Sequence, residues 1–342
     1  MASPYDGLPA TAFWKTAVQD RAALDPGALY TPRFPVNRTM RVVTAGSCFA
    51  QHIGRELRHS GFRITDAEPL PAVIPESLAN DHGYRLYSAR YGNIYTTAQL
   101  LQLYDEACGR ITPAEPVWEK QGRHYDAQRP GLDPGGLATP ERVMKHRAHH
   151  LTRVKEAFET ADLFVFTFGL TEAWVHKATG TVYPTAPGTI AGTFDPDVYA
   201  FKNYDMVEVL NAFTTFAKRL RKANRKLRFL ITVSPVPLTA TASGQHVEVA
   251  TALSKATLRA VCGKLYADDP MVDYFPSYEL ITSTNNRGVY FEPNKRSVSA
   301  AGVAQAMKLF HDAHHITPLT AATTAEDEDL RCEEALLEEF AR

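Results

Sequence analysis

The sequence predicts an α/β protein with a central parallel sheet. Short apolar runs bounded by Gly, Pro, Asp or Ser are typical of buried strands, and the segments between them repeat apolar residues with the helical period. Strand candidates that alternate with helix candidates favour parallel strands joined by right-handed crossovers. The strand candidates are residues 41–45, 62–65, 163–168, 227–233 and 272–275.

The helix candidates lie between these strands. The clearest is residues 204–224, where one side carries Met206, Val207, Leu210, Phe213, Phe216 and Leu220. Similar spacing predicts helices over residues 97–108, 139–160, 247–267 and 299–314. In such a fold, ligands bind at the carboxyl ends of the parallel strands, so we expect the functional site there.

The remaining segments define the domain organisation. Residues 1–40 are rich in Pro and aromatic residues, and we interpret them as an arm packed on one α/β domain, residues 41–315. Residues 66–140 and 175–203 contain many turn residues and follow strand ends, which predicts two insertions over the site. Residues 316–342 predict an acidic amphipathic helical tail, which is either a solvated cap or a partner-binding helix.

Composition and charge exclude several classes of partner. The chain has 342 residues and a formal net charge of -1, which gives no electrostatic reason to expect nucleic acid or an anionic membrane surface. No apolar run reaches the length of a membrane span. The start MASPYDGLPATAF lacks the pattern of a secretory signal, and the four cysteines are too scattered for a disulfide framework. We therefore predict a cytoplasmic protein.

The stretch RVVTAGSCFAQHIGRELRHSGFRIT, residues 41–65, changes from an apolar strand pattern to a helical pattern at Gly46-Ser47-Cys48. A serine at such a corner stands near the first helical turn, where free backbone N–H groups and the positive end of the helix dipole stabilise an oxyanion. Ser47 and Cys48 are therefore nucleophile candidates. The structural alternative is that Ser47 is an N-cap and Cys48 a small buried apolar residue.

The motif GSCFA and five further blocks resemble the GSCFA family, a branch of the SGNH hydrolase superfamily. The blocks are ARYGNIYTT (89–97), FVFTFGLTEAW (164–174), LITVSPVPL (230–238), LSKATLRA (253–260) and DYFPSYE (273–279). The resemblance implies a flavodoxin-like three-layer α/β/α sandwich and acyl-ester chemistry.

The same resemblance implies roles for individual residues. Ser47 is the nucleophile, and its own N–H and that of Gly92 form part of the oxyanion hole, with Asn93 beside Gly92. The third superfamily block, normally Gly-x-Asn-Asp, reads Gly-Leu-Thr-Glu here. Thr171 thus takes the place of the oxyanion-binding Asn, and Glu172 takes that of the Asp.

The last superfamily block, Asp-x-x-His before the final helix, is missing. The alignment of SAAG puts Asn294 and Ser297 at these two places, or Arg296 after a shift of one residue, and none of them is a base at neutral pH. One hypothesis is an enzyme whose base has moved to His246, oriented by Glu172 or Glu279, with His52 less well placed. The other is a ligand-binding protein in which Arg296 anchors a carboxylate or phosphate.

The other motifs predict neither a metal nor a cofactor. KHRAHH, residues 145–150, spaces two histidines one helical turn apart but supplies no acidic ligand, so we interpret it as a solvated helix face. LDPGG lacks the Lys-Ser/Thr of a phosphate loop. The predicted partner is a small-molecule or saccharide acyl ester, and the oligomeric state stays open. The aromatic residues of the insertions either stack on sugar rings or form the core of the insertions.

Overall fold

A five-stranded parallel sheet forms the centre of the computed structural model, which describes residues 3–317 and 333–341. The strands along the chain are β1 (Arg41–Gly46), β2 (Arg63–Ile64), β3 (Val117–Lys120), β4 (Arg123–Asp126), β5 (Leu163–Phe168), β6 (Glu172–His176), β7 (Val182–Tyr183), β8 (Tyr199–Asn203), β9 (Arg228–Val233) and β10 (Val272–Tyr274). The α-helices are α1 (Phe49–His59), α2 (Thr97–Ala107), α3 (Pro140–Thr160), α4 (Met206–Ala223), α5 (Val247–Asp268), α6 (Ser277–Thr282) and α7 (Ala300–Ala313).

The order of strands in the central sheet is β10-β9-β5-β1-β2. The chain leaves β1 towards one edge to form β2, then crosses back over β1 to form β5, β9 and β10 on the other side. This is the flavodoxin-like order that the family resemblance implies. The direction of winding reverses between β1 and β5, and a crevice opens at the carboxyl ends of strands at such a switch point.

Helices cover both faces of the sheet, so the three-layer α/β/α prediction is confirmed. One layer contains α2, α3, α4 and α5, and the other contains α1, α6 and α7. Phenylalanine rings in edge-to-face contact fill the first layer: the centroid of the Phe164 ring lies 4.8 Å from that of Phe158 and 5.5 Å from that of Phe216. Edge-to-face packing of this kind adds to the free energy of area burial.

The predicted core elements agree with the structure to within one or two residues. Relative to the length of the element, the largest difference is in β2: the prediction covers residues 62–65, and the strand covers Arg63–Ile64. Phe62 instead closes the end of α1, because its N–H donates to Leu57 O (2.9 Å) while Gly61 adopts a φ of 79°. A left-handed glycine followed by such a bond is the usual helix C-terminal motif.

Both predicted insertions contain strands that the sequence does not predict. The first includes α2 and the antiparallel hairpin β3–β4, and the second contributes to an antiparallel sheet of order β7-β6-β8. The Trp118 and Tyr183 rings stack at 5.2 Å, and Tyr125 and Tyr199 join the same buried cluster. These aromatic side chains therefore form the core that joins the two insertions.

The N-terminal segment is attached across the edge of the central sheet. Tyr30 Oη donates to Asp273 Oδ2 (2.8 Å), and Arg33 Nη1 donates to Val272 O (3.0 Å). Within this segment, Lys15–Gln19 forms a π-helix. Part of the predicted C-terminal helix lies outside the described residues, and Glu333–Ala341 forms a 3-10 helix instead of an α-helix.

Among residues 3–317 and 333–341, no helix combines the length and the apolar composition that a membrane span requires. Cys48, Cys108 and Cys262 form no disulfide.

Candidate active site

The corner between β1 and α1 lies at the switch point of the sheet. Gly46 has a φ of 140°, and a Cβ atom added there would lie 2.5 Å from Thr167 O, so only glycine fits. Ser47 N–H donates to Thr167 O (3.3 Å), and Ile94 N–H donates to Gly46 O (2.8 Å). These bonds fix the corner between β5 and the segment that precedes α2.

The Ser47 side chain is buried, with 3% of its surface exposed. Its Oγ makes no hydrogen bond with any residue that the structure describes. The N-cap of α1 is Cys48, without a side-chain capping bond, so Ser47 does not cap this helix. Because buried hydroxyl groups are normally hydrogen-bonded, an unbonded one at a switch point is a candidate for chemistry or ligand binding.

Cys48 lies on the other side of the corner. Its side chain is buried in the apolar cluster between the sheet and the layer of α1, α6 and α7, together with Phe49 and Ile53. Cys48 therefore packs into a core layer while Ser47 faces the loop after β5.

The loop after β5, residues 169–171, borders the Ser47 side chain. A Cβ atom added at Gly169 would lie 2.8 Å from Ser47 Cβ and 3.4 Å from Ser47 Oγ. The Gly169 and Leu170 N–H groups both donate to Tyr95 O (3.2 and 2.9 Å), and Thr171 N–H donates to Ser254 Oγ (3.1 Å). The backbone donors of this loop are thus used within the fold.

The Thr171 hydroxyl differs from these backbone groups. It is buried, and among the described residues its Oγ1 has no hydrogen-bond partner. Ser47 and Thr171 therefore present two unbonded hydroxyl groups on adjacent loops at the switch point. This arrangement agrees with the oxyanion role predicted for Thr171, which stays a prediction.

Two neighbouring residues of α5 hold this loop, and neither is among the site residues predicted from the sequence. Ser254 accepts the Thr171 N–H, and Lys255 Nζ donates to Gly169 O (2.7 Å). Lys255 is only 2% exposed, which is unusual for lysine and requires bonding of its ammonium group. The signal available in the sequence is the block LSKATLRA, which contains both residues.

The segment with Gly92 and Asn93 lies on the opposite side of the corner. Asn93 Oδ1 accepts a hydrogen bond from Gln51 Nε2 (3.2 Å), and the Tyr87 hydroxyl lies 2.5 Å from Asn93 Oδ1 and 3.1 Å from Ser47 O. Gly92 adopts a φ of 69°. Asn93 therefore lies in a hydrogen-bond network that includes Ser47 O, and Gly92 directly precedes it in the chain.

Glu172 follows the loop and lines an apolar cavity of about 200 Å³. Its Oε1 accepts a hydrogen bond from Thr241 Oγ1 (2.8 Å), and burial raises the pKa of its carboxyl above the ordinary value. The apolar walls of this cavity come from Tyr95, Leu170, Ala173, Trp174, Pro184, Ala186, Phe201, Leu238, Ala240, Ala242 and Leu337. The cavity thus lies next to the loop that borders Ser47.

The residues predicted to replace the missing histidine are not brought together. His246 is exposed, and its Nδ1 accepts the Glu248 N–H (3.2 Å) as the N-cap of α5. Glu279 bonds to Arg259 Nε and to Tyr274 Oη (2.8 Å) near β10. Since Ser47 Oγ has no partner in the described chain, no imidazole is within hydrogen-bond reach of it.

The loop that replaces the Asp-x-x-His block forms a turn of its own. Asn294 Oδ1 accepts the N–H groups of Arg296 and Ser297 (2.9 Å each), and Asn294 Nδ2 donates to Ser297 Oγ (3.0 Å). None of these side chains bonds to Ser47 Oγ.

The His52 side chain packs against Phe49 in the preceding turn of the same helix, α1. Its ring meets the Phe49 ring at 5.9 Å, and burial together with Arg55 lowers the pKa of His52 to about 4. It is therefore neutral at pH 7.

The interpretation of KHRAHH as a solvated helix face is wrong for two of its residues. His150 and Arg147 are 0% and 2% exposed, and Arg147 Nε donates to Glu106 Oε1 (2.8 Å). With Val143 and Val154 they form the inner face of α3 at helical spacing. Among residues 3–317 and 333–341, no group of three His, Cys, Asp or Glu side chains is arranged to hold a metal ion.

The protein is an α/β/α sandwich with a parallel central sheet. Its candidate site is a buried serine at the switch point of that sheet, at the corner between a strand and a helix, and the loop after the neighbouring strand borders it. The chain belongs to the GSCFA family, since the model of this family matches residues 41–310. No curated protein and no solved structure matches the chain significantly.

Proposed function

We propose that the protein is a serine esterase or O-acyltransferase of the SGNH type that acts on acyl esters through Ser47. The observation that carries this proposal is the buried Ser47 hydroxyl, which has no bond to the described chain and does not cap α1. In the proposed reaction, Ser47 Oγ attacks the acyl carbonyl and the alcohol leaves with a proton. Water or an acceptor hydroxyl then takes the acyl group from the serine.

The oxyanion of the tetrahedral intermediate needs donors that the fold has not used. The Thr171 hydroxyl is such a donor, whereas Ser47 N–H already donates to Thr167 O at the long distance of 3.3 Å. A positioned donor of this kind contributes about 3 kcal/mol to lowering the barrier. Lys255 supports the site by holding Gly169 O, so its charge lies behind the loop that carries Thr171.

The apolar cavity beside this loop is suited to the acyl part of the substrate. Its walls are mostly aliphatic and aromatic, and its polar side chains are Glu172, Thr185 and Thr241. Because Ser47 is covered, productive binding requires movement of the loops over the site. A saccharide ester as substrate and a cytoplasmic location stay predictions from the sequence.

A fluorophosphonate probe tests the nucleophile directly. We expect covalent labelling of the purified full chain at Ser47, read by peptide mass spectrometry, because the probe reacts with activated serine hydroxyls. Loss of labelling in a heat-denatured sample is the control for activation by the fold. A native protein that is not labelled at Ser47 would contradict the proposal.

The base that activates Ser47 is predicted to be His246. His246 is exposed at the end of the loop after β9, and Leu238 and residues 240–242 of that loop line the apolar cavity. We propose that this loop shifts on substrate binding and brings His246 towards Ser47. Catalytic hydrogen bonds often form only in the substrate complex. His246→Ala should then reduce turnover of a p-nitrophenyl ester by about a hundredfold.

The matched control is His52→Ala, which removes a neutral imidazole from the helix that follows Ser47. It should change turnover much less than His246→Ala does. Near-wild-type rates in His246→Ala would exclude His246 as the base.

A second candidate function is ligand binding without turnover. It is favoured because, in the described chain, no basic side chain forms a hydrogen bond with Ser47 Oγ. The two functions differ in one result: a binding protein would leave Ser47 unlabelled by the probe.

A further inference from the structure

A second and larger cavity, of about 850 Å³, lies along α3 at the edge of the central sheet. Its lining includes Thr65, Asp66 and Glu68 from the segment after β2. Thr65 N–H donates to Val42 O, four residues before Gly46, so this end of the cavity lies about 13 Å along β1 from the serine corner. The cavity is therefore separate from the candidate active site.

The floor of this cavity contains Arg129, which is buried. Its Nε donates to Asp126 Oδ2 (2.7 Å), and its Nη1 donates to Arg90 O (2.8 Å). Its Nη2 makes no hydrogen bond with any residue that the structure describes. The fold thus fixes the guanidinium plane and leaves one amino group available.

The carboxylates of the cavity are already bonded or close to cations of the fold. Glu68 Oε2 accepts from Arg90 N–H (2.7 Å) and lies 2.7 Å from His150 Nδ1. Burial raises the pKa of Glu68, but His150 and Arg129 outweigh burial and lower it to about 2. Glu68 therefore stays ionised as the internal partner of these groups.

The other two carboxylates of the cavity are Glu156 and Asp66. Glu156 pairs with Arg153 Nη1 at 3.1 Å. Burial raises the pKa of Asp66 above its ordinary value, because it outweighs the nearby Arg58 and Arg85 guanidinium groups. The carboxylates of the cavity thus have nearby cations of their own.

The wall formed by α3 carries two basic side chains without such partners. Lys145, His149 and Arg153 follow one another at intervals of four residues, on the face of α3 that lines the cavity. In the described part of the chain, Lys145 and His149 make no ion pair and no side-chain hydrogen bond. An available lysine and an available guanidinium donor therefore share a cavity in which Glu68 and Glu156 already have partners.

We propose that this cavity binds a small molecule that carries a phosphate group, with the phosphate between Arg129 Nη2 and the side chains of Lys145 and His149. Guanidinium and ammonium groups are the usual protein partners of phosphate oxygens. The volume lies in the range of small-molecule sites and leaves room for a sugar or nucleoside beside the phosphate. The proposal is independent of the chemistry at Ser47.

Isothermal titration calorimetry of the full chain at low ionic strength tests it. The probes are orthophosphate, glucose 6-phosphate and adenosine monophosphate, with glucose and adenosine as phosphate-free controls. We expect saturable binding of at least one phosphate ester and none of its phosphate-free counterpart. An orthophosphate affinity equal to that of the esters would assign the site to free phosphate.

The matched variants are Lys145→Gln and Lys155→Gln. Lys145 lines the cavity, whereas Lys155 is exposed on the same helix outside it. Lys145→Gln should weaken binding of the phosphate probe by about tenfold, the effect of losing one charge-assisted bond, and Lys155→Gln should leave it unchanged. The proposal is overturned if no phosphate probe binds saturably, or if both variants weaken binding equally.

Discussion

Ser47→Ala is expected to lower the turnover of an acyl ester by about a thousandfold or more, because the substitution removes the nucleophile of the proposed acyl-enzyme. The measurement is kcat/KM for a p-nitrophenyl ester, with wild type and variant at equal concentration. The Gly46 corner and the bonds of Ser47 backbone atoms do not depend on its hydroxyl, so the geometry of the site should persist.

The same variant gives a second readout in stability. If Ser47 were a helix cap, its replacement by Ala would cost about 1 kcal/mol in the free energy of unfolding. Because its Oγ is buried without a partner in the described chain, Ser47→Ala should leave that free energy unchanged or raise it. Loss of activity without loss of stability would identify a group that the fold maintains for function.

Cys48→Ala is the control at the adjacent position. Its side chain packs in the layer with α7, away from the loop after β5, so turnover should stay near wild type while stability falls modestly. If Ser47→Ala retained more than about a tenth of wild-type turnover, the nucleophile would have to be another group.

The central sheet could be predicted from the sequence because its information is local. β5 reads LFVFTF and β9 reads RFLITV, and strands buried on both faces produce such continuous apolar runs. The helices between them are marked by apolar periodicity and by caps, such as the Asp205–Glu208 capping box of α4. Boundaries therefore agreed closely in these elements.

The strands of the insertions could not be predicted in the same way. β7 has only two residues, and β6 pairs with β8 across a stretch rich in Gly, Pro and Thr. These strands are stabilised by pairing with distant segments and by the Trp118 cluster, which no local window of sequence contains. Context of this kind commonly outweighs intrinsic strand preference.

In the candidate site too, features encoded in one local segment could be predicted, and contacts between distant segments could not. The Ser47 corner is one continuous motif, so its position was predictable. Lys255 acts on Gly169, 86 residues away, and no spacing rule connects the two. His246 was proposed from its place after a strand, but chain order fixes neither the direction of a loop side chain nor its distance from Ser47.

Arg147 shows a different reason for error. Val143, Arg147, His150 and Val154 share one buried face of α3, and their spacing indicates burial. The prediction that KHRAHH is a solvated helix face rests on the charge of its side chains, whereas the helical spacing of Val143, Arg147, His150 and Val154 indicates a buried face. Arg147 is compensated by Glu106 from α2 and by Asp126 from β4, two carboxylates that lie far from it in the sequence.

Arg147→Met is therefore expected to lower the free energy of unfolding by about 3–5 kcal/mol, measured by urea denaturation at pH 7. Removing one partner of a buried ion pair leaves the other charges buried without compensation. The matched control is Arg142→Met, because Arg142 is exposed on the same helix and should contribute less than about 0.5 kcal/mol.

The pH dependence of this loss follows from Asp126. Burial raises its pKa, but Arg147 and Arg129 outweigh burial, so in the wild type the pKa lies below the ordinary value. The stabilisation from this ionised carboxyl is present above its unfolded-state pKa and is lost as the pH falls towards the lower folded-state pKa. Without Arg147, the pKa of Asp126 in the folded state rises, and protonation relieves the uncompensated charge. The difference in unfolding free energy between wild type and Arg147→Met should therefore be smaller at pH 4 than at pH 7. A loss no larger than that of Arg142→Met, or one that grows towards acid pH, would contradict this account of the buried ion pairs.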